Sequence, residues 1–327
     1  MRAVFFDQAA ADASTTRVGE TAVPEPGAGE LTVDVRAAGV NFIDVMARRG
    51  DPGYASSWPF VPGLEIAGTV RALGAGVDGP AVGSRVAAFT GSGGLAEVAK
   101  VRAELAVEIP EGIEFEHAAA APGTLTTAAL LLGQAGGLRP GQTVLVHSAA
   151  GGVGQAVASL ARLRGASLLI GTVGSASRAA SAEQAGYDAA LVRGEGLTEA
   201  VRQRTDGRGV DLILDPQGTE WVEADLELVA QGGRIVLFGN ATGGALAPLP
   251  QAGRLFGGNV SIGGFSISRF AANAPEIVAR ALTDVLAELA AGQLTVDVAI
   301  VDGLAGTAAA QQALAEGRGT GKHVIRL

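Results

Sequence analysis

The rhythm of apolar and polar positions changes partway along the chain. In the first third, Leu31-Thr32-Val33-Asp34-Val35-Arg36-Ala37 alternates, which places its apolar side chains on one face of a half-buried strand. Met1 to Asp7, Ile66 to Val70 and Arg85 to Phe89 predict further strands, separated by glycine-rich turns. A twisted, mostly antiparallel β region is therefore expected over residues 1–118. Beyond Glu116 the strands become continuously apolar and alternate with segments of helical spacing. Val144 to Val146, Leu168 to Val173, Ala189 to Val192, Val210 to Asp215 and Arg234 to Gly239 read as strands buried on both faces, as in a parallel sheet. A doubly wound α/β unit follows over residues 119–261. The tail carries a long helix, Pro275 to Ala291, and a last strand, His323 to Leu327. It is expected to return to the β region, so that residues 1–118 and 262–327 share one domain and the α/β unit is an insertion.

One junction carries chemistry. The strand ending at Val146 runs through His147-Ser148-Ala149-Ala150-Gly151-Gly152-Val153-Gly154 into a helix marked by Val153, Val157, Leu160 and Ala161. A strand, a tight glycine turn and a helix aim unpaired helix N–H groups at whatever sits on the turn, which is how a dinucleotide pyrophosphate is held. Ala150, Gly151, Gly152 and Val153 are the expected contacts. Gly151 admits the phosphates and Gly154 lets the helix pack closely, although Ala149 stands where the first glycine of the fingerprint belongs.

The next strand decides which nucleotide is expected. An NAD site usually ends this strand in a carboxylate for the ribose 2′-hydroxyl. Here Val173 is followed by Gly174-Ser175-Ala176-Ser177-Arg178, with no acid to repel a 2′-phosphate. Gly174 leaves room, Ser175 offers a hydroxyl, and Arg178 a fork of donors suited to phosphate. Arg193, past the next strand, can close the same pocket, and reads equally well as a solvated surface residue. The pattern favours NADPH over NADH.

Composition narrows the rest. With 327 residues the chain fits two domains, each with a core of its own. A formal charge of −9 lacks the basic footprint of a nucleic-acid binder, so no nucleic-acid partner is expected. Arginine supplies every basic residue except Lys100 and Lys322. The absence of cysteine excludes disulfides, thiolate catalysis and cysteine-containing zinc sites. No run approaches the ~18 apolar residues of a membrane span, and the first strand is too short for a signal peptide. A cytoplasmic location is expected. His117, His147 and His323 read as packing or surface residues more readily than as catalysts.

Several blocks, in this order, resemble the zinc-independent medium-chain dehydrogenase/reductases, specifically the quinone oxidoreductase group. They are Gly39 to Val45, Val61 to Gly68, Val144 to Gly154, Gly171 to Ser175, Gly232 to Asn240 and Gly319 to Lys322. The resemblance implies a GroES-like catalytic domain joined to a Rossmann domain, with NADPH as cofactor. Metal-dependent relatives place His before the Glu of the second block. Here Leu64 precedes Glu65, so no metal is expected and Glu65 is expected to pair with a nearby donor. The resemblance further implies that Asn41 and Thr126 sit beside the nicotinamide. Phe238, Gly239 and Asn240, with Phe265, Ser266 and Ile267, would present backbone groups to its amide. Arg318 corresponds to a position near the cofactor phosphates, and Asp44 to one that fixes backbone or a neighbouring side chain. Ala128, Ala129 and Met46 replace larger aromatic groups of several relatives, which implies a wider, more apolar cleft with Tyr54 as its remaining aromatic wall.

The expected activity is hydride transfer from NADPH, without a metal, to a small-molecule substrate, a quinone or the activated double bond of an enone, with bulky apolar acceptors favoured. The alternatives are an enoyl-thioester reductase of a biosynthetic pathway and a non-catalytic NADPH-binding protein. Val260 to Phe265 reads as a strand at the sheet's edge, where relatives join across a two-fold axis, so a homodimer is expected.

Overall fold

The alternating N-terminal runs fold as strands. In the computed structural model, which describes residues 1–55, 57–319 and 321–327, β1 (Arg2–Phe6) pairs antiparallel with β2 (Thr16–Glu20). β3 (Glu30–Gly39) pairs antiparallel with both β4 (Glu65–Leu73) and β6 (Val98–Arg102), and β5 (Arg85–Phe89) lies between β4 and β7 (Ala106–Glu108). Between β3 and β4, the helix Phe42–Arg49 ends at Gly50, whose φ of 77° supplies the left-handed turn that a side chain resists.

The apolar runs of the middle region form six parallel strands: β8 (Thr143–Val146), β9 (Leu168–Val173), β10 (Ala189–Val192), β11 (Val210–Asp215), β12 (Val229–Leu237) and β13 (Ser261–Gly264). Their order is β10-β9-β8-β11-β12-β13. The chain therefore builds outward from β8 in one direction and then from β11 in the other. Such a reversal opens a crevice beyond the carboxyl ends of the two central strands, where α/β sheets take their ligands. Leu145, Ile170, Ile213 and Ile235 stack on this sheet at or near zero exposure, with Leu197, Val201 and Leu228 from the covering helices. Each such side chain contributes ~1.5–3 kcal/mol relative to leaving it in water.

The tail returns to the first sheet. β14 (Val298–Asp302) runs parallel to β15 (Lys322–Arg326), and β15 pairs antiparallel with β3, giving the order β14-β15-β3-β4-β5-β7. The helix Pro275–Ala290 buries Val278, Leu282, Val285 and Leu286 at helical spacing. The chain thus divides into two units, Met1–Thr126 with Ile267–Leu327, and Thr127–Ser266. The junctions fall later than residues 118 and 261. Gly123 is tied by its N–H to Glu65 of β4, and Phe265 by its N–H to Leu237 of β12.

Candidate functional site

The glycine turn begins with a strained residue. Ser148 follows β8 with φ of 59°, a region that non-glycine residues seldom adopt. Its carbonyl accepts the Gly151 N–H at 2.9 Å, and its hydroxyl accepts from Gln217 Nε2 at 2.6 Å. The helix Gly152–Leu163 then starts hard against the turn. A Cβ on Gly154 would lie 2.5 Å from the Ala149 carbonyl oxygen, so only glycine permits this approach. The unexpected Ala149 is accommodated from the neighbouring strand. A Cβ on Gly171 of β9 would stand 2.5 Å from the Ala149 methyl, and glycine leaves that space open. The first-turn N–H groups of Gly152, Val153 and Gly154 have no intrahelical acceptor and carry the positive end of the helix dipole. Together with Gly151 they form a cradle of the right chemistry for a pyrophosphate.

The end of β9 lies beside this cradle. Gly174 and Ser175 are exposed, and the Ser175 hydroxyl lies 2.9 Å from that of Ser177. Arg178 is half-buried and donates through Nη2 to the Ala150 carbonyl at 2.8 Å, bracing the turn. Arg193 leaves β10 with its backbone N–H on the Val173 carbonyl and its Nη1 on Thr172 Oγ1 at 3.3 Å. Its Nη2 lies 3.3 Å from where a Cβ on Gly174 would project. Burial lowers the Arg193 pKa, while the nearby Asp215 and Glu220 act the other way. Phe238, Gly239 and Asn240 follow β12, with the Phe238 N–H on the Asp215 carbonyl. The Asn240 amide is engaged by its own loop, donating to the Gly244 carbonyl and accepting from Thr242. Phe265 is buried and Ser266 exposed at the end of β13, next to β12.

The other unit holds a compact polar cluster. Asn41 caps the helix Phe42–Arg49, and its backbone N–H donates to Asp44 Oδ2 at 2.8 Å. Asp44 Oδ1 accepts the Gly63 N–H at 3.0 Å, which is the backbone-fixing role expected of it. Burial drives the Asp44 carboxyl up to about 6, against the pull of those two N–H groups and of Lys322. The Asn41 side chain is engaged by two buried charges. Its Nδ2 donates to Glu65 Oε1 at 2.8 Å and its Oδ1 accepts from Lys322 Nζ at 2.5 Å. Lys322 also reaches Glu65 Oε1 at 2.5 Å and the Val40 carbonyl at 3.0 Å, while Glu65 Oε2 takes the Gly123 N–H at 2.5 Å. Glu65 has no solvent exposure. Its carboxylate fits because Gly39 and Gly123 lack side chains, and a Cβ on either would fall within 3 Å of it.

The chain is similar to known proteins along most of its length. Residues 27–111 match the alcohol dehydrogenase GroES-like domain and residues 152–284 the zinc-binding dehydrogenase family. A quinone oxidoreductase of Pseudomonas aeruginosa is 36% identical over 310 residues, 92% of this chain and 92% of that protein. The chain belongs to the quinone oxidoreductase group of the medium-chain dehydrogenase/reductases. The Escherichia coli quinone oxidoreductase, solved in complex with NADPH, superposes with a TM-score of 0.90 at 29% identity, with 100% of each chain covered. A mouse synaptic vesicle membrane protein VAT-1 homolog-like is 37% identical over 225 residues, 69% of this chain, and the match spans only about half, 53%, of that protein.

Leu64, the residue before Glu65, is buried at 4% exposure. Thr126 opens the helix Thr126–Leu130 with no exposure, after a widened turn over Ala121–Leu125. Its hydroxyl donates to the Ala121 carbonyl at 3.0 Å. Tyr54 is half-buried on its loop, with its N–H on the Asp51 carbonyl; no described hydrogen bond joins it to Asn41. Arg318 is exposed and pairs with Glu316. Ile267 opens the helix Ile267–Asn273. Ala128 and Met46 are buried and Ala129 is 9% exposed. Thr320, in the last motif, lies outside the described residues. His117 is exposed, and His323 is buried in β15.

Two groups of residues had no expected role. Lys322 completes the Asn41 cluster, and its signal was its scarcity in a chain that otherwise uses arginine. His147 is fully enclosed and bonds Thr172 and Asp225. Nothing in the local pattern pointed to Asp225, which sits in an amphipathic helix like any solvated acid.

Proposed function

We propose that this chain is an NADPH-dependent reductase that delivers hydride to quinones or to activated double bonds of enones without a metal ion. The observation that carries the reading is the end of β9, where Ser175, Arg178 and Arg193 stand in place of the carboxylate an NADH site uses. NADPH, when bound, supplies the hydride from its nicotinamide ring. The chain binds and orients. The N–H groups of Gly152, Val153 and Gly154 hold the pyrophosphate, and the arginines pair with the 2′-phosphate. The strand ends at Phe238 and Phe265 offer backbone groups to the carboxamide. Asn41, its amide held by Glu65 and Lys322, offers a fixed polar contact.

Metal independence is supported by the donor set. The chain has no cysteine, Leu64 has no ligand atom, and both Glu65 oxygens already accept from Lys322, Asn41 and Gly123. The edge strand β13 exposes unpaired main-chain groups, and a homodimer joined there completes the reading. No helix among the described residues is long and apolar enough to cross a membrane, and a cytoplasmic location is proposed with it.

Following NADPH oxidation across a panel of quinones, enones and enoyl thioesters tests the proposal. Turnover with quinones or enones is expected. Turnover confined to enoyl thioesters would reassign the substrate, and oxidation with none of them would overturn the enzymatic reading.

A further inference from the structure

A chain of hydrogen bonds runs beneath the nucleotide cradle from a buried acid to a half-buried arginine. Asp225, on the helix Val222–Leu228, accepts at Oδ1 from His147 Nε2 at 2.9 Å. His147 Nδ1 lies 2.8 Å from Thr172 Oγ1, and Thr172 Oγ1 accepts from Arg193 Nη1 at 3.3 Å. Thr172 and Asp225 have no exposure and His147 only 1%. The Trp221 ring lies 6.0 Å from the imidazole and Gly174 leaves space at the arginine.

The two ends set the direction of the chain. Arginine can only donate and an ionised carboxylate can only accept. With a single N–H on the imidazole, all of these groups are satisfied when Thr172 Oγ1 accepts from Arg193 and passes its own O–H to His147 Nδ1, with Nε2–H donating to Asp225. Every bond then points the same way, from the guanidinium to the carboxylate, and bonds so aligned polarise one another. The other charges facing the chain are Asp215, whose field reaches His147, Asp225 and Arg193, and Glu220, whose field reaches Arg193. Neither has a described hydrogen bond to it.

We propose that Asp225, His147 and Thr172 are positioning residues that aim Arg193 at the 2′-phosphate of NADPH, so that cofactor choice depends on a buried acid remote from the phosphate. The proposal rests on the NADPH reading given above. Arg178 is held by one nitrogen on the Ala150 carbonyl, a contact that braces the turn for either cofactor, whereas Arg193 is held by one nitrogen on a buried chain that has no part in the turn. A long arginine with free rotamers would lose much of its pairing with phosphate to entropy, and anchoring one of its nitrogens removes that loss.

Fluorescence titration of NADPH and NADH against the full chain tests it. Arg193→Ala and Thr172→Val should each lower the NADPH-over-NADH preference by about tenfold with NADH affinity nearly unchanged, a loss of one charge-assisted contact. Asp225→Asn should move it in the same direction by less. Thr172→Ser, which keeps the hydroxyl, should restore the wild-type preference. In the Arg193→Ala background, Thr172→Val should add nothing. An unchanged preference in Thr172→Val, or equal losses for both cofactors, would overturn the relay while leaving the NADPH reading standing. A wild-type protein that binds NADH as tightly as NADPH would instead overturn the reading beneath it. Should Thr172→Val not fold, Thr172→Ser against Asp225→Asn decides: a preference equal in the two contradicts the proposal.

Discussion

Lys322 Nζ lies 2.5 Å from Glu65 Oε1, with the lysine side chain 5% exposed and the glutamate side chain fully enclosed. A buried ion pair adds little net stability, because desolvation consumes most of the attraction. Removing one partner is a different matter, since the other charge is then stranded. Lys322→Met should cost about 3–5 kcal/mol in chemical denaturation, and adding Glu65→Gln should recover a large part of it. If the double variant is no more stable than the single one, the pair does not act as a unit.

Asp215 gives the protein a pH dependence opposite to the common one. Burial raises its carboxyl from 3.8 to about 6, and its Oδ2 has no hydrogen-bond partner among the described residues. A raised carboxyl binds its proton more tightly when folded, so its contribution is present at low pH and lost as pH rises from about 4 through about 6. The loss is on the order of 3 kcal/mol. Asp215→Asn keeps an acceptor for the Gln217 N–H and removes the charge. It should match the wild type near pH 4 and exceed it at neutral pH; thermal melts over that range check the crossover.

Arg178 bridges to the Ala150 carbonyl and so serves the turn as well as the phosphate pocket. Arg178→Ala should therefore weaken both NADPH and NADH, with a further loss of roughly tenfold for NADPH, whose 2′-phosphate loses one of its two arginines. Titration calorimetry with the two cofactors separates these effects. An NADH affinity that does not move would show that the turn stands without the arginine.

Chelation should leave the rate of quinone-dependent NADPH oxidation unchanged, because Glu65 is already saturated with donors and Leu64 brings none. Loss of activity on chelation, restored by zinc, would contradict this.

The exposed edge at β13 should join two copies. The Phe265 N–H bonds Leu237 of β12, so by alternation the Ile262 N–H faces the free edge. Ile262→Pro removes that donor and should shift a dimer toward monomer in light scattering, with the cofactor affinities retained. A wild-type protein already monomeric at micromolar concentration would refute the homodimer.

Much of the architecture was legible in local sequence. Continuous apolar runs marked β8 to β12, and Pro275 with its spaced Val278, Leu282, Val285 and Leu286 marked the long helix almost to the residue. β14 was not foreseen, since it lies at the sheet's edge with Ile300 half-exposed. The turn at Gly151 and the missing acid after Val173 were visible because turn chemistry acts within a few residues.

Partners of buried charges were not visible in this way. That Lys322 would meet Glu65 and Asn41 follows from β15 lying beside β3 and β3 beside β4, a pairing the tail makes only after the whole middle unit has intervened. That Asp225 would reach His147, and His147 reach Thr172, follows from a helix packing over the sheet where β8, β9 and β11 adjoin. By itself the sequence determined which segments are strands, which is the phosphate turn, and which chemistries cysteine-free, acid-poor loops exclude, because periodicity and turn propensity are local. Only the tertiary structure decided which charge faces which, because a buried carboxylate is stabilised by whatever donor the topology brings within about 3 Å, whatever its distance along the chain.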